Sequence, residues 1–150
     1  MKPPSESLAI WRGNRAKGEE VRFGPEVQVL LHEVFVDVAR ERQVAIHACA
    51  TCPTHVNGLV SFRSPGCTCE RRKWCLSDCL AKAHVDELVT RMKRKMGQAV
   101  AKRMGTCGRK WFSRGWDVAA VRDREHFDYL VTQYLPDHET SQGGAFRRYG

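Results

Sequence analysis

His55 and Asn57 stand two residues apart in the stretch Cys52-Pro53-Thr54-His55-Val56-Asn57-Gly58-Leu59-Val60-Ser61-Phe62. The β-branched and aromatic residues from Val56 to Phe62 predict a strand. Side chains alternate between the faces of a strand, so His55 and Asn57 point one way and Val56 points toward a core. An imidazole nitrogen and a carboxamide oxygen side by side make half of a divalent-cation site. The other half is expected far downstream, in Phe127-Asp128-Tyr129-Leu130-Val131-Thr132-Gln133. At about 100° per residue, Phe127, Leu130, Val131 and Tyr134 share a stripe that should be core. Tyr129 and Gln133 are neighbours one turn apart on another face, together with His126. Tyr134 therefore reads as structural and Tyr129 as available, or as an ordinary half-exposed tyrosine. The two pieces are expected to meet in one site.

The elements that must position these residues follow from periodicity and breakers. A short first strand is predicted at Ser7-Leu8-Ala9-Ile10-Trp11, then a basic loop from Gly13 to Gly18. Pro25 suits a first helical turn. Val27, Leu30, Leu31, Val34, Phe35 and Val38 then recur at helical spacing, up to about Arg42-Gln43. Val44 to Ala50 reads as a strand that forms an antiparallel hairpin with the His55 strand. A Cys-rich insert follows at about 64–80, and then a long basic helix from about Leu80 to Met104. Trp111 to Val121 has the residues of a further strand. Arg122 to Leu135 is the last predicted helix, closed by Pro136. The first six elements fit an α+β, ferredoxin-like sandwich: an antiparallel sheet with helices on one face and the other face left for a site. A single domain over 1–140 and a flexible tail at 141–150 are the expected organisation.

The chain has 150 residues, enough for one domain with its own core. Its formal net charge is +8, concentrated in the middle of the chain, with Trp74, Trp111 and Trp116 interleaved among the charges. Such a pattern points to a polyanion, most often nucleic acid. Arg63, Lys93, Lys95, Arg109, Lys110 and Arg114 are the candidate contacts, each also readable as a solvated surface charge. No apolar run approaches the roughly 20 residues of a membrane span. Met1-Lys2-Pro3-Pro4 leads into a polar stretch without signal-peptide character, so a cytoplasmic, nucleoid-associated protein is expected. Seven cysteines in such a compartment should stay reduced. Cys67, Cys69, Cys75 and Cys79 fall within 13 residues and could hold a structural Zn²⁺, with His84 or Cys107 as alternative ligands. Their spacing is not a common finger pattern, and reduced, partly buried cysteines are the other reading.

Several segments together resemble one family. Pro53-Thr54-His55-Val56-Asn57-Gly58-Leu59-Val60 resembles the Pro-x-His-hydrophobic-His strand of the HUH endonucleases. Within these it is most similar to the single-tyrosine transposases that move insertion sequences as single-stranded DNA, and to their relatives associated with repetitive extragenic palindromes. Trp111-Phe112-Ser113-Arg114-Gly115-Trp116-Asp117-Val118 resembles the strand before the catalytic helix, and Tyr129-Leu130-Val131-Thr132-Gln133 the family's Tyr-x-x-x-Gln. The likeness covers about residues 6–138. It implies a Mg²⁺ or Mn²⁺ site of His55, Asn57 and Gln133, and Tyr129 as a nucleophile that forms a 5′-phosphotyrosine on single-stranded or hairpin DNA. It also implies strand transfer without ATP, and a homodimer. One departure is that Asn57 stands where the family has a second histidine. His47 or His126 could substitute as ligand. The rival reading is a catalytically weakened, host-adopted DNA- or RNA-binding protein on the same fold.

Overall fold

In the computed structural model, residues 6–17, 21–63, 80–106, 108–121 and 123–149 are described. The cysteine cluster Cys67, Cys69, Cys75 and Cys79 lies outside them, as do Cys107 and the His84 side chain.

The turn Cys52-Pro53-Thr54 closes the predicted hairpin. Strands β1 (Glu6–Asn14), β2 (Ala45–Thr51), β3 (His55–Arg63), β4 (Asp117–Ala120) and β5 (Ala145–Arg148) form one antiparallel sheet in the order β4-β1-β3-β2-β5. The first four strands have the order expected of a ferredoxin-like sandwich, so the fold class read from the sequence holds. Residues directly across the β1–β3 ladder share a face. Asn14 therefore lies beside His55, Arg12 beside Asn57 and Ile10 beside Leu59.

Helices α1 (Pro25–Glu41) and α2 (Leu80–Met104) cover one face. Their apolar stripes place Leu31, Phe35, Val89, Met92 and Met96 against Trp11, Val56 and Val60 of the sheet. Gly58 is required there: a Cβ at this position would collide with the Trp11 and Phe35 rings.

The opposite face is not free, as the sequence suggested, but carries a second core. Leu130, Val131 and Leu135 pack on Leu8, Ala48, Ala50 and Leu59. They belong to a bent helical run. It starts with α3 (Arg124–Tyr129), whose N-cap Asp123 accepts the His126 backbone N–H at 2.8 Å. It continues through a π-helical segment, Leu130–Tyr134, into α4 (Asp137–Ser141). The widened turn shows in Leu135 N–H, which donates to the carbonyl of Leu130 at 2.9 Å, five residues back. Pro136 explains it. Proline has no N–H to donate, and its ring would clash with the carbonyl four residues earlier in a regular helix. The sequence placed the helix end at Pro136; the run instead continues beyond it through α4 to Ser141.

Two further expectations are corrected. The strand predicted across 111–121 is confined to Asp117–Ala120, because Gly115 adopts φ 80° and breaks the extended run; Phe112 makes only an isolated bridge to Arg15. The segment expected as a flexible tail at 141–150 supplies β5, which pairs with β2 through Cys49↔Arg147 and Thr51↔Ala145. Its alternation was hidden by two arginines and a short length.

Candidate active site

β3 starts at His55, so the alternation of the strand puts His55, Asn57 and Leu59 on the face covered by the bent helical run. His55 is 6% exposed and Asn57 1% exposed. The run brings a third side chain to them. His138, at the start of α4, is 1% exposed, and its Nε2 lies 2.9 Å from His55 Nε2 and 3.0 Å from Asn57 Nδ2.

The protonation pattern can be read from the partners. His138 Nδ1 is 3.1 Å from the carbonyl oxygens of both Tyr134 and Leu135. Carbonyls only accept, so Nδ1 carries the proton and the Nε2 lone pair faces His55 and Asn57. A ring nitrogen fixed by a backbone carbonyl, with the other aimed inward, is the arrangement metal-ligating histidines use. On the far side, His55 Nδ1 lies 3.0 Å from Thr54 Oγ1, 3.2 Å from Cys52 Sγ and 3.4 Å from an Arg12 guanidinium nitrogen. Burial, then Arg12, then His138 lower the His55 pKa to about 4. Burial also lowers that of His138, although the Leu135 and Tyr134 carbonyls and Asp137 oppose it. Both rings are therefore neutral near pH 7, the form that ligates metals.

Among the described residues, no cluster of three or more His, Cys, Asp or Glu side chains is arranged to hold a metal ion. The convergent set here is two imidazoles and a carboxamide. With Asn57 turned to present Oδ1 and the His55 proton moved from Nε2 to Nδ1, it supplies three neutral donors, which fits a divalent first-row ion.

Tyr134 precedes His138 by one turn, with its ring centroid 5.3 Å away at an 80° angle. It is half-buried and packs against the second core, as its place on the predicted stripe implies. Tyr129 is 47% exposed, and its ring lies 6.3 Å from that of Tyr134. Gln133 is exposed, and neither it nor Tyr129 hydrogen-bonds to His55, Asn57 or His138. His47 turns toward Phe127, with ring centroids 5.6 Å apart. His138 is the residue that sequence reasoning missed. The signal was present in Tyr134-Leu135-Pro136-Asp137-His138, which has the same i, i+4 spacing as Tyr129 and Gln133.

No protein-family model matches the sequence, and no curated protein does. Solved structures do match. A REP-associated tyrosine transposase bound to a REP hairpin aligns over 91% of this chain and 68% of its own, with a TM-score of 0.57 at 12% identity. A suspected transposase from Deinococcus radiodurans aligns over 89% of this chain and 91% of its own, with a TM-score of 0.52 at 18% identity. The fold is that of the tyrosine transposases.

On this transposase-type fold the six basic candidates divide. Lys93 is engaged within the chain: its ammonium donates to the Ser113 carbonyl at 2.8 Å and to that of Gly115, and sits over the Trp116 ring. Burial, and then Lys110, lower its pKa. Arg109 and Lys110 are exposed beside it, with the Arg109 guanidinium over Trp111, whereas Arg114 is exposed in the following turn. Lys95 is half-buried on α2, and Arg63 ends β3 with its side chain outside the described residues. No described helix is long and apolar enough to cross a membrane.

Proposed function

We propose that this protein cleaves and rejoins single-stranded DNA by transesterification, with Tyr134 as nucleophile and His55, Asn57 and His138 as the metal-binding set. The observation that carries this reading is the His138 imidazole, held by two backbone carbonyls against His55 and Asn57. The site thus has two imidazoles and one amide, with the amide on the strand and the second imidazole on the helix. Imidazole favours Mn²⁺ over Mg²⁺ here. The bound ion would act as Lewis acid on the scissile phosphate.

The chain's own residues do the rest. A phenol is a weak nucleophile while it keeps its proton, so attack needs Tyr134 aligned beside a polarised phosphate. The Tyr134 oxygen forms the new bond to phosphorus and gives its proton to solvent. The bond to the 3′ oxygen breaks, and that oxygen leaves as a protonated 3′ hydroxyl. The DNA is then joined to the protein through a 5′ phosphate, and another strand's 3′ hydroxyl can reverse the step without ATP. Arg12, across the ladder from Asn57 and 3.4 Å from His55, offers a guanidinium to the phosphate. The DNA-bound transposase of the same fold supports DNA as the partner. A homodimer belongs to this reading and is tested by light scattering.

A second reading keeps the nucleophile at Tyr129, favoured by its exposure. The test is incubation with labelled hairpin DNA bearing single-stranded flanks, in Mn²⁺, followed by denaturing electrophoresis. Adduct lost in Tyr134→Phe and kept in Tyr129→Phe supports the assignment. The reverse pattern moves it to Tyr129. No adduct, with tight salt-sensitive binding, leaves a DNA-binding module.

A further inference from the structure

The His55 ring is held from two sides, and only one of its two tautomers suits the arrangement seen. On the helix side, His138 keeps its proton on Nδ1, between the Tyr134 and Leu135 carbonyls, so its Nε2 can only accept. The 2.9 Å contact between the two Nε2 atoms therefore needs the His55 proton on Nε2. His55 Nδ1 is then bare. It faces Thr54 Oγ1 at 3.0 Å, Cys52 Sγ at 3.2 Å and an Arg12 guanidinium nitrogen at 3.4 Å. A hydroxyl, a thiol and a guanidinium can each donate to it.

To ligate an ion through Nε2, both rings must offer that lone pair. The His55 proton must then lie on Nδ1, with no change of charge. Nδ1 becomes a donor, and its neighbours differ in how they can answer. A guanidinium has no acceptor, so Arg12 would face Nδ1–H donor to donor. Sulfur accepts weakly. The Thr54 hydroxyl is the nearest of these groups and accepts well, and its own hydrogen can turn to Cys52 Sγ, 3.4 Å away. The backbone fixes its place. The Thr54 carbonyl accepts Arg15 N–H at 2.8 Å, the Pro53 carbonyl accepts Phe23 N–H at 2.9 Å, and Cys52 N–H donates to the His55 carbonyl at 3.0 Å. Arg12 has a second hold that does not involve His55: its Nε donates to Asn14 Oδ1 at 3.0 Å.

We propose that Thr54 is the positioning residue of this site: its hydroxyl accepts the His55 Nδ1 proton in the metal-binding form, and Arg12, which can only donate, is released toward the phosphate while Asn14 keeps hold of it. The guanidinium is thus offered to DNA only when the ion is in place. The inference rests on the metal set of the proposed function and is independent of which tyrosine attacks.

The test uses the full chain. Long-range proton–nitrogen NMR reads the His55 tautomer in EDTA and then with Zn²⁺ as a diamagnetic probe, the His55 signal being assigned by its loss in His55→Ala. The proton should pass from Nε2 to Nδ1. By calorimetry, Mn²⁺ affinity should fall about tenfold or more in Thr54→Val, as when other outer partners of metal-bound histidines are removed, and should return in Thr54→Ser. Both variants should melt like wild type in EDTA. Arg12→Ala should bind Mn²⁺ at least as tightly as wild type. A Thr54→Val protein that binds Mn²⁺ like wild type overturns the inference, as does a Zn²⁺-loaded His55 that keeps its proton on Nε2, or an Arg12→Ala protein that loses affinity. If Zn²⁺ moves neither the His55 nor the His138 signal, the metal set falls and the inference with it. If both signals move and Thr54→Val binds normally, the metal set stands and the role of Thr54 falls.

Discussion

His138 decides how the site is understood. Its Nδ1 proton is held by the Tyr134 and Leu135 carbonyls, so the ring cannot easily turn away from His55. Loss of this imidazole should therefore lower Mn²⁺ affinity by at least tenfold, whereas Gln133→Ala should leave it unchanged. Calorimetric titration of His138→Ala and Gln133→Ala checks both. Buried neutral histidines also set a pH dependence. His55 and His32 fall from 6.5 to about 4, mainly through burial, so between those values the unfolded chain binds more protons than the folded one. Stability is then complete above pH 6.5 and declines as pH falls toward 4. Thermal melting from pH 7.5 to 4.5 should show a falling Tm, and Mn²⁺ binding should weaken in the same window because protonated imidazole cannot ligate. A flat profile would mean that these rings are not held neutral.

At the scale of elements, the bent run from Arg124 to Ser141 and the edge strand β5 act together. Gly144 N–H donates to the His138 carbonyl at 2.8 Å, and a Cβ on Gly144 would collide with the Thr51 carbonyl oxygen. Thr51 is itself fixed from α1: its hydroxyl donates to Gln28 Oε1 at 2.8 Å, and Gln28 reaches the Gly143 carbonyl at 3.3 Å. β5 thus clamps the end of the helical run that presents His138. Gly144→Ala should cost about 1–3 kcal/mol in chemical denaturation, and should also reduce Mn²⁺ affinity in the protein that remains folded. Unchanged metal affinity would detach β5 from the site. Part of this was legible in the sequence. The alternation through Val56, Gly58 and Val60 placed His55 and Asn57 on one face, and the period of Val27 to Val38 gave α1. The rest was not, for local reasons. The 100° stripe of Phe127, Leu130, Val131 and Tyr134 does pack on the second core, but a uniform period cannot anticipate the π turn within it. Pro136 marks a helix end far more often than a bend, which hid His138. β5 is only four residues long with two arginines, too short and too polar for a period of two to stand out.

Across the whole molecule, the +8 charge and the sheet with both faces covered give two separate surfaces. One overlies the buried His55, Asn57 and His138 cluster. The other is a cationic groove beside α2, on the side of the α1–α2 core. The sequence located the basic stripe, but it did not show that Lys93 is spent on the Ser113 and Gly115 carbonyls while Arg109 and Lys110 stay exposed. DNA affinity should fall linearly in log–log form with salt. Lys110→Ala should reduce the slope by ~0.7 for one lost single-strand phosphate contact, whereas Lys93→Ala should chiefly lower thermal stability. Titrations at several salt concentrations separate the two roles. The most direct test of the whole reading is covalent capture on hairpin DNA in Mn²⁺ across four proteins: wild type, Tyr129→Phe, Tyr134→Phe and His138→Ala. A denaturation-resistant adduct in the first two and none in the last two is the predicted result; an adduct that persists in Tyr134→Phe would contradict it.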